Sequence, residues 1–276
     1  QKSKVVSIST CKAMHMMKVF LLLTAMASAV LAASSFKLWV SETCPYAQRA
    51  WIGALEKGLE FDLEIVDLQN KPAAFNELYS SISVCPKDSS KVPVLEDGDV
   101  KLIESAIILQ YLEDAYPGQG QRLLPAAANE RAIVRLFMDT YEKTLGPLIF
   151  KVLQAESEAA RAAVREDVQY ALRACDAFLR RHGKAGGPFL LGEEFSLAEG
   201  HCGPMVTRLG PVLQAFGGVD LVGECGASGC DRLAGWLAAV AERPSVAATS
   251  PAPEKTVEGF RAMRERMAAA AAAKKS

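Results

Sequence analysis

The sequence has little histidine, three residues in 276, and its seven cysteines, at 11, 44, 85, 175, 202, 225 and 230, include no CxxC pair. That spacing supplies neither a zinc-ligand pattern nor a dithiol redox couple, so no metal site is expected. An excess of charge of one sign is also missing: 31 Lys+Arg against 32 Asp+Glu leave a net charge of -1. Because no basic cluster is interleaved with aromatics, nucleic acid is not an expected partner. Long apolar runs are absent from the body of the chain. The one strongly apolar stretch, VFLLLTAMASAVLA at 19–32, falls short of the roughly twenty residues needed to span a bilayer, and stable membrane insertion is not expected.

That stretch does have the form of a secretory leader. It follows Met17 and the cation Lys18, and Val30-Leu31-Ala32 offers a small-x-small cleavage pattern. Residues 1–32 are therefore expected to be a leader, with a mature chain beginning near Ala33 in the endomembrane lumen. The alternative is an uncleaved leader on a cytoplasmic protein. The remainder, in a chain with 50% hydrophobic and 23% charged residues, is enough for two domains.

Phe36 to Val40 alternates as a strand does, and Ala47, Ala50, Trp51, Ala54 and Leu55 recur at helical spacing up to Gly58. Between them, Pro45 suits the first position of a helix, which makes Cys44 its N-cap. Free amides and the positive end of a helix dipole stabilise a thiolate, so Cys44 is expected to be reactive even at mildly acidic pH; the alternative is a small core cysteine. FDLEIVDL from Phe61 alternates like a half-exposed strand, and a second helix is expected from near Pro72. KVPVLEDGDVKLIES, 91–105, predicts a hairpin through Glu96-Asp97-Gly98-Asp99, followed by a helix capped by Ser105. The order β-α-β-α-β-β-α describes a small sheet covered by helices over 35–117.

From Tyr116 to Pro125 the composition shifts to Gly, Pro and Gln, as in a linker. The 126–265 region then shows helical stripes: Val134, Phe137, Tyr141, Leu145 and Leu148, and later Val164, Val168, Leu172, Cys175 and Leu179. Ser196 and Glu199 form a capping box before a helix expected to be interrupted by Pro204 and Pro211. Cys225 and Cys230 lie in a glycine-rich stretch that could be a surface loop or hold a small disulfide. His201 and Cys202 could line a ligand pocket or be core. An Ala/Lys tail, 266–276, reads as a frayed helix.

CPYAQR at 44–49, NKP at 70–72, KVPVLEDGD at 91–99, ESAI at 104–107 and YLEDAYP at 111–117, ahead of an all-helical half, together resemble the cysteine-type glutathione transferases, closest to the omega and lambda classes. The resemblance runs from about Phe36 to Gly259. It implies a thioredoxin-like N-terminal domain, a helical C-terminal domain, and glutathione as co-substrate with no metal. It further implies Cys44 as the catalytic thiol, Val92 before a cis Pro93 presenting its backbone to the cysteinyl part of glutathione, Glu104 and Ser105 at the γ-glutamyl end, and Lys71 near the glycyl carboxylate. Tyr46 would lie beside the thiol. Lys71 could equally be a solvated cation, and Tyr46 could pack on the sheet.

With Ala at position 47 there is no resolving cysteine one turn on, so the implied chemistry is monothiol. The implied activity is thiol transfer, deglutathionylation or dehydroascorbate reduction, with weak conjugation, on a small-molecule or glutathionylated-protein acceptor; a homodimer is one option. The competing readings are a glutathione-transferase-fold interaction or ligand-binding module without turnover, and a protein like the chloride intracellular channels.

Overall fold

The computed structural model describes residues 36–85 and 89–273. The leader expected over residues 1–32 lies outside them, as do residues 274–276 of the tail.

The first half alternates strand and helix: β1 Phe36–Val40, α1 Pro45–Glu56, β2 Phe61–Ile65, α2 Ala73–Ile82, β3 Val94–Asp97, β4 Val100–Ile103 and α3 Ser105–Ala115. The strands form one four-stranded mixed sheet in the order β2-β1-β3-β4. β1 runs parallel to β2, with Phe36 opposite Phe61, while β3 is antiparallel to both β1 and β4. On β1 the pleat sends Phe36, Leu38 and Val40 into full burial on one face. The other face carries Trp39, whose ring meets Phe75 of α2 at 5.7 Å and whose Nε1 donates to Glu96 at 2.8 Å. Helices therefore cover both faces, as in a thioredoxin-like domain. The β3–β4 loop is Gly98-Asp99, with Gly98 at φ 56 in the first central position, which is the site the II′ turn reserves for glycine.

Two local details differ from the sequence reading. α3 does not take Ser105 as its cap: the chain leaves β4 with Glu104 at φ 72 and ψ 107, and the Glu104 carbonyl accepts from the amides of Ile107 and Ile108. Ser105 is thereby already the first residue inside the helix, and the side chain at the cap position, Glu104, makes no cap hydrogen bond. α1 lies unusually close to α3, because Gly53 faces Leu109 where an added Cβ would come within 2.5 Å of the leucine Cδ1.

The second half is all helical: α4 Ala128–Lys143, α5 Leu148–Gln154, α6 Glu158–His182, α7 Leu197–Gly217, α8 Leu221–Ala227, α9 Asp231–Glu242, α10 Pro244–Thr249 and α11 Pro253–Ala273. Its core gathers the stripes of α4 and α6 around Trp236, whose ring lies 5.2 Å from Phe137 and 6.1 Å from Tyr141. α7 runs through the centre. The capping box forms: Ser196 accepts from the Ala198 amide, and Glu199 accepts from Ser196. Pro204 and Pro211 do not interrupt this helix. Each costs about 3 kcal/mol in a helix interior, and packing of α7 against α1, α4, α5, α9 and α11 outweighs that cost.

Cys225 and Cys230 are free thiols buried in this core, Cys225 within α8 and Cys230 at the N-cap of α9, so neither sits in a surface loop. The tail is helical to Ala273. Among the described residues, no helix is long and apolar enough to cross a membrane.

Candidate active site

α1 is the element both halves share. Its inner face packs on α3, α7 and α10. Gln48 donates to Thr249 and Ser250 at 2.9 and 3.0 Å, Arg49 Nε donates to the His201 carbonyl at 2.8 Å, and Glu56 accepts both Arg243 nitrogens at 2.8 and 2.6 Å. The ties at Gln48 and Arg49 fix the start of α1, and with it the thiol, while Glu56 anchors the helix's far end.

Cys44 occupies the N-cap position at φ -85, ψ 115, with Pro45 opening the helix. Its own amide donates to the Ser41 carbonyl at 3.0 Å. The sulfur accepts no cap hydrogen bond of ordinary geometry, yet the amides of Ala47 and Tyr46 act on it as oriented dipoles. Burial is the stronger influence and pushes the Cys44 thiol above its ordinary value of 9.0, opposed in turn by those amides, Arg208 and Arg49. The expectation of a thiol already ionised at mildly acidic pH is therefore corrected for the ligand-free protein. The helix end lowers the pKa, but the desolvation caused by packing two halves around it raises it more.

A cleft of about 410 Å³ opens beside the thiol, and Cys44, Tyr46, Lys71, Val92, Pro93, Glu104 and Ser105 all line it, together with Tyr79, Ser90 and Lys91. The seven residues that the motifs pick out are spread over about sixty positions of sequence, and the fold brings all seven to one cavity. The Val92-Pro93 bond is cis, and both residues are buried. Glu104 is exposed and also lines the cleft. Its backbone lies outside the regions that non-glycine residues favour, so the carboxylate is held there at a conformational cost of about 1–3 kcal/mol. Beside it, the first amides of α3 have no acceptor within the helix and form a natural carboxylate seat. Lys71 is not a freely solvated cation: its Nζ donates to the Ser90 carbonyl at 2.6 Å. Tyr46 is exposed and does not pack on the sheet; the Arg49 guanidinium lies 5.0 Å from its ring centre.

The structure adds residues that the motif reading did not select. Arg49 pairs with Glu142 of α4, which also bonds His201 Nε2 at 2.8 Å. The His201 bond and the Arg49 charge hold the Glu142 carboxyl at about 2, against the opposing effect of burial, while burial keeps the His201 imidazole below its usual range. His201 and Cys202 are buried and do not line this cleft. Arg208 of α7 is buried as well, donating to Gln48 Oε1 at 2.5 Å. One signal could have marked it: a single cation inside the apolar run MVTRLGPVL, where an unpaired charge would be costly. Among the described residues, no cluster of His, Cys, Asp and Glu could hold a metal ion.

Residues 38–120 match the family model for the glutathione S-transferase N-terminal domain. A probable glutathione S-transferase from Oryza sativa subsp. indica is 33% identical over 230 residues, covering 80% of this chain and 90% of that protein. A chloroplastic glutathione S-transferase L2 from Arabidopsis thaliana is 29% identical over the same length, covering 82% and 70%. Among solved structures, a rice glutathione transferase crystallised in complex with glutathione superposes with a TM-score of 0.70 at 26% identity, over 85% of this chain and 98% of that one. With a sheet-and-helix half carrying the cleft, a helical half behind it, and likeness extending across both, the chain belongs to the glutathione S-transferase family.

Proposed function

We propose that this transferase is of the cysteine type, close to the omega and lambda classes, and works as a monothiol thiol transferase and reductase. The observation that carries the reading is the position of Cys44, an N-cap thiol at one end of the cleft that holds the cis Val92-Pro93 bond and Glu104. Cys44 is also the only thiol among the residues lining that cleft.

In this reading glutathione lies along the cleft. Its γ-glutamyl ammonium meets the Glu104 carboxylate, its α-carboxylate meets the Ser105 end of α3, its cysteinyl backbone pairs with Val92, and Lys71 serves its glycyl carboxylate. Cys44, once deprotonated, attacks the glutathionyl sulfur of a mixed disulfide. The acceptor leaves as a thiolate, which takes up a proton, and Cys44 becomes glutathionylated. A second glutathione, as its thiolate, attacks that sulfur, giving glutathione disulfide and restoring the Cys44 thiolate. With Ala47 one turn on, no neighbouring thiol of α1 competes with that second glutathione. For dehydroascorbate the net change is two glutathiones oxidised to one disulfide as the acceptor gains two electrons and two protons.

Turnover of hydroxyethyl disulfide with glutathione tests the reading. Wild type is expected to be active, and Cys44→Ser nearly inactive while still binding glutathione. Equal turnover in the two would overturn it. Glutathione binding by wild type without turnover would instead favour a binding module on this fold.

A further inference from the structure

Arg208 is 1% exposed, and its surroundings leave a charge unbalanced. Nη1 donates to Gln48 Oε1 at 2.5 Å and to the Pro204 carbonyl at 2.6 Å, whereas Nη2 is buried with no hydrogen-bond partner. Among the described residues no carboxylate pairs with it. The buried or half-buried acids of the elements packed on α7 and α1 are committed elsewhere: Glu142 to Arg49 and His201, Glu56 to Arg243, and Glu199 to the Leu190 and Ser196 amides, the Ser196 hydroxyl and Trp236 Nε1. Burying a cation without a counter-charge is expensive, and removing it for an apolar side chain would normally be tolerated or better.

Gln48 shows where this cation sits. Its amide donates to the Cys44 carbonyl at 3.2 Å, one turn along α1, and its side-chain oxygen holds the guanidinium. The same side chain is fixed from behind by Thr249 and Ser250. The guanidinium is thereby clamped beneath the first turn of α1, the turn that Cys44 caps.

We propose that Arg208 is the resident counter-ion of the Cys44 thiolate, a positioning residue clamped by Gln48 and the Pro204 carbonyl whose buried charge is balanced only when the sulfur loses its proton. This rests on the reading that Cys44 works as a thiolate. The other charged or titratable groups around the thiol are Tyr46 and Arg49 on α1, Glu142 on α4 and His201 on α7, both bound to Arg49's cluster, and Lys71, Lys91 and Glu104 around the cleft. Of these, Lys71 and Lys91 lie on the solvent-facing cleft and Arg49 already has its carboxylate, which leaves Arg208 as the buried cation without a carboxylate among the described residues. The electrostatics agree from both ends: Arg208 precedes Arg49 among the cations that favour the Cys44 thiolate, and the thiolate is the one charge that acts on Arg208 against its burial. Burial brings the guanidinium down to about 10, so it remains protonated at neutral pH.

The test follows carbamidomethylation of Cys44 in the full chain by neutral iodoacetamide across pH, with the modified peptide quantified by mass, in wild type, Arg208→Lys and Arg208→Gln. The expected midpoints rise in that order. The rate at pH 7 is expected to fall about tenfold or more in Arg208→Gln, one pKa unit being a tenfold change in thiolate, and by less in Arg208→Lys, whose shorter cation keeps the charge but loses the Gln48 clamp. A midpoint equal to wild type in either variant that retains the near-ultraviolet circular dichroism of the folded chain overturns the assignment. Alkylation reads ionisation and not turnover, so this outcome is separate from that of the hydroxyethyl disulfide assay.

Discussion

Replacing Glu104 by glycine should make the protein more stable and worse at binding glutathione. The stability gain comes from the backbone. At φ 72 and ψ 107 a residue with a Cβ is strained by about 1–3 kcal/mol, which glycine does not incur. Against this, glycine loses about 0.5–1 kcal/mol more chain entropy on folding. The net is a gain of up to about 2.5 kcal/mol, or a rise in Tm of up to several degrees at about 2–4 °C per kcal/mol for a chain of this size. The backbone anchor survives, because the bonds from Ile107 and Ile108, at 3.0 and 2.9 Å, go to the main-chain carbonyl. The binding loss comes from the carboxylate. A hydrogen bond to a charged group is worth about 1.5–3 kcal/mol, so glutathione affinity should fall by about ten- to a hundredfold. Glu104→Gln is the control: it keeps the strain and removes the charge, so Tm should stay put while affinity falls. Thermal unfolding and titration calorimetry read the two effects separately. A Glu104→Gly protein that is less stable than wild type and binds glutathione equally well would refute both the strain and the site assignment.

Glu199→Gln should cost about 1–3 kcal/mol, because one buried carboxylate accepts from the Leu190 and Ser196 amides, the Ser196 hydroxyl and Trp236 Nε1, and an amide in its place leaves at least one donor unpaired and weakens the others. Urea unfolding checks this, and a loss under about 1 kcal/mol would contradict it. Cys44 in glutathione-free folded protein should alkylate with a higher midpoint than the same cysteine in urea-unfolded chain, since burial outweighs the helix end; a lower midpoint in the folded protein would contradict the site as drawn. Burial pushes the Cys175 thiol up to about 11 from 9.0, so folding keeps a proton that the unfolded chain releases. Its contribution is full below about pH 9 and is lost as pH rises towards 11, by at most about 3 kcal/mol. Urea midpoints at pH 8 and 11 should accordingly differ less in Cys175→Ala than in wild type, and an equal difference would count against it.

What the sequence settled by itself was local. The alternation of Phe36 to Val40, Pro45 after Cys44, the Gly98 turn and the Ser196–Glu199 box are short-range signals, whose energetics depend on neighbours within a few positions, and the elements they predict form. The motif order also brought the seven cleft residues to notice, and the fold gathers them. Where burial or a path through space decides the outcome, one-dimensional reading fails. Ser105 is not a cap because the strained Glu104 takes the cap position, a turn set by how β4 delivers the chain to α3. Pro204 and Pro211 stay inside α7 because packing on the helices around it offsets a local penalty that the sequence shows without its compensation. Cys44 was read as acidic from the helix end alone. Its protonation depends first on desolvation, and then on the helix amides and on Arg208, which lies 164 positions along the chain and is bound to the thiol's turn through Gln48, so that balance exists only once two halves of the chain have packed against one helix.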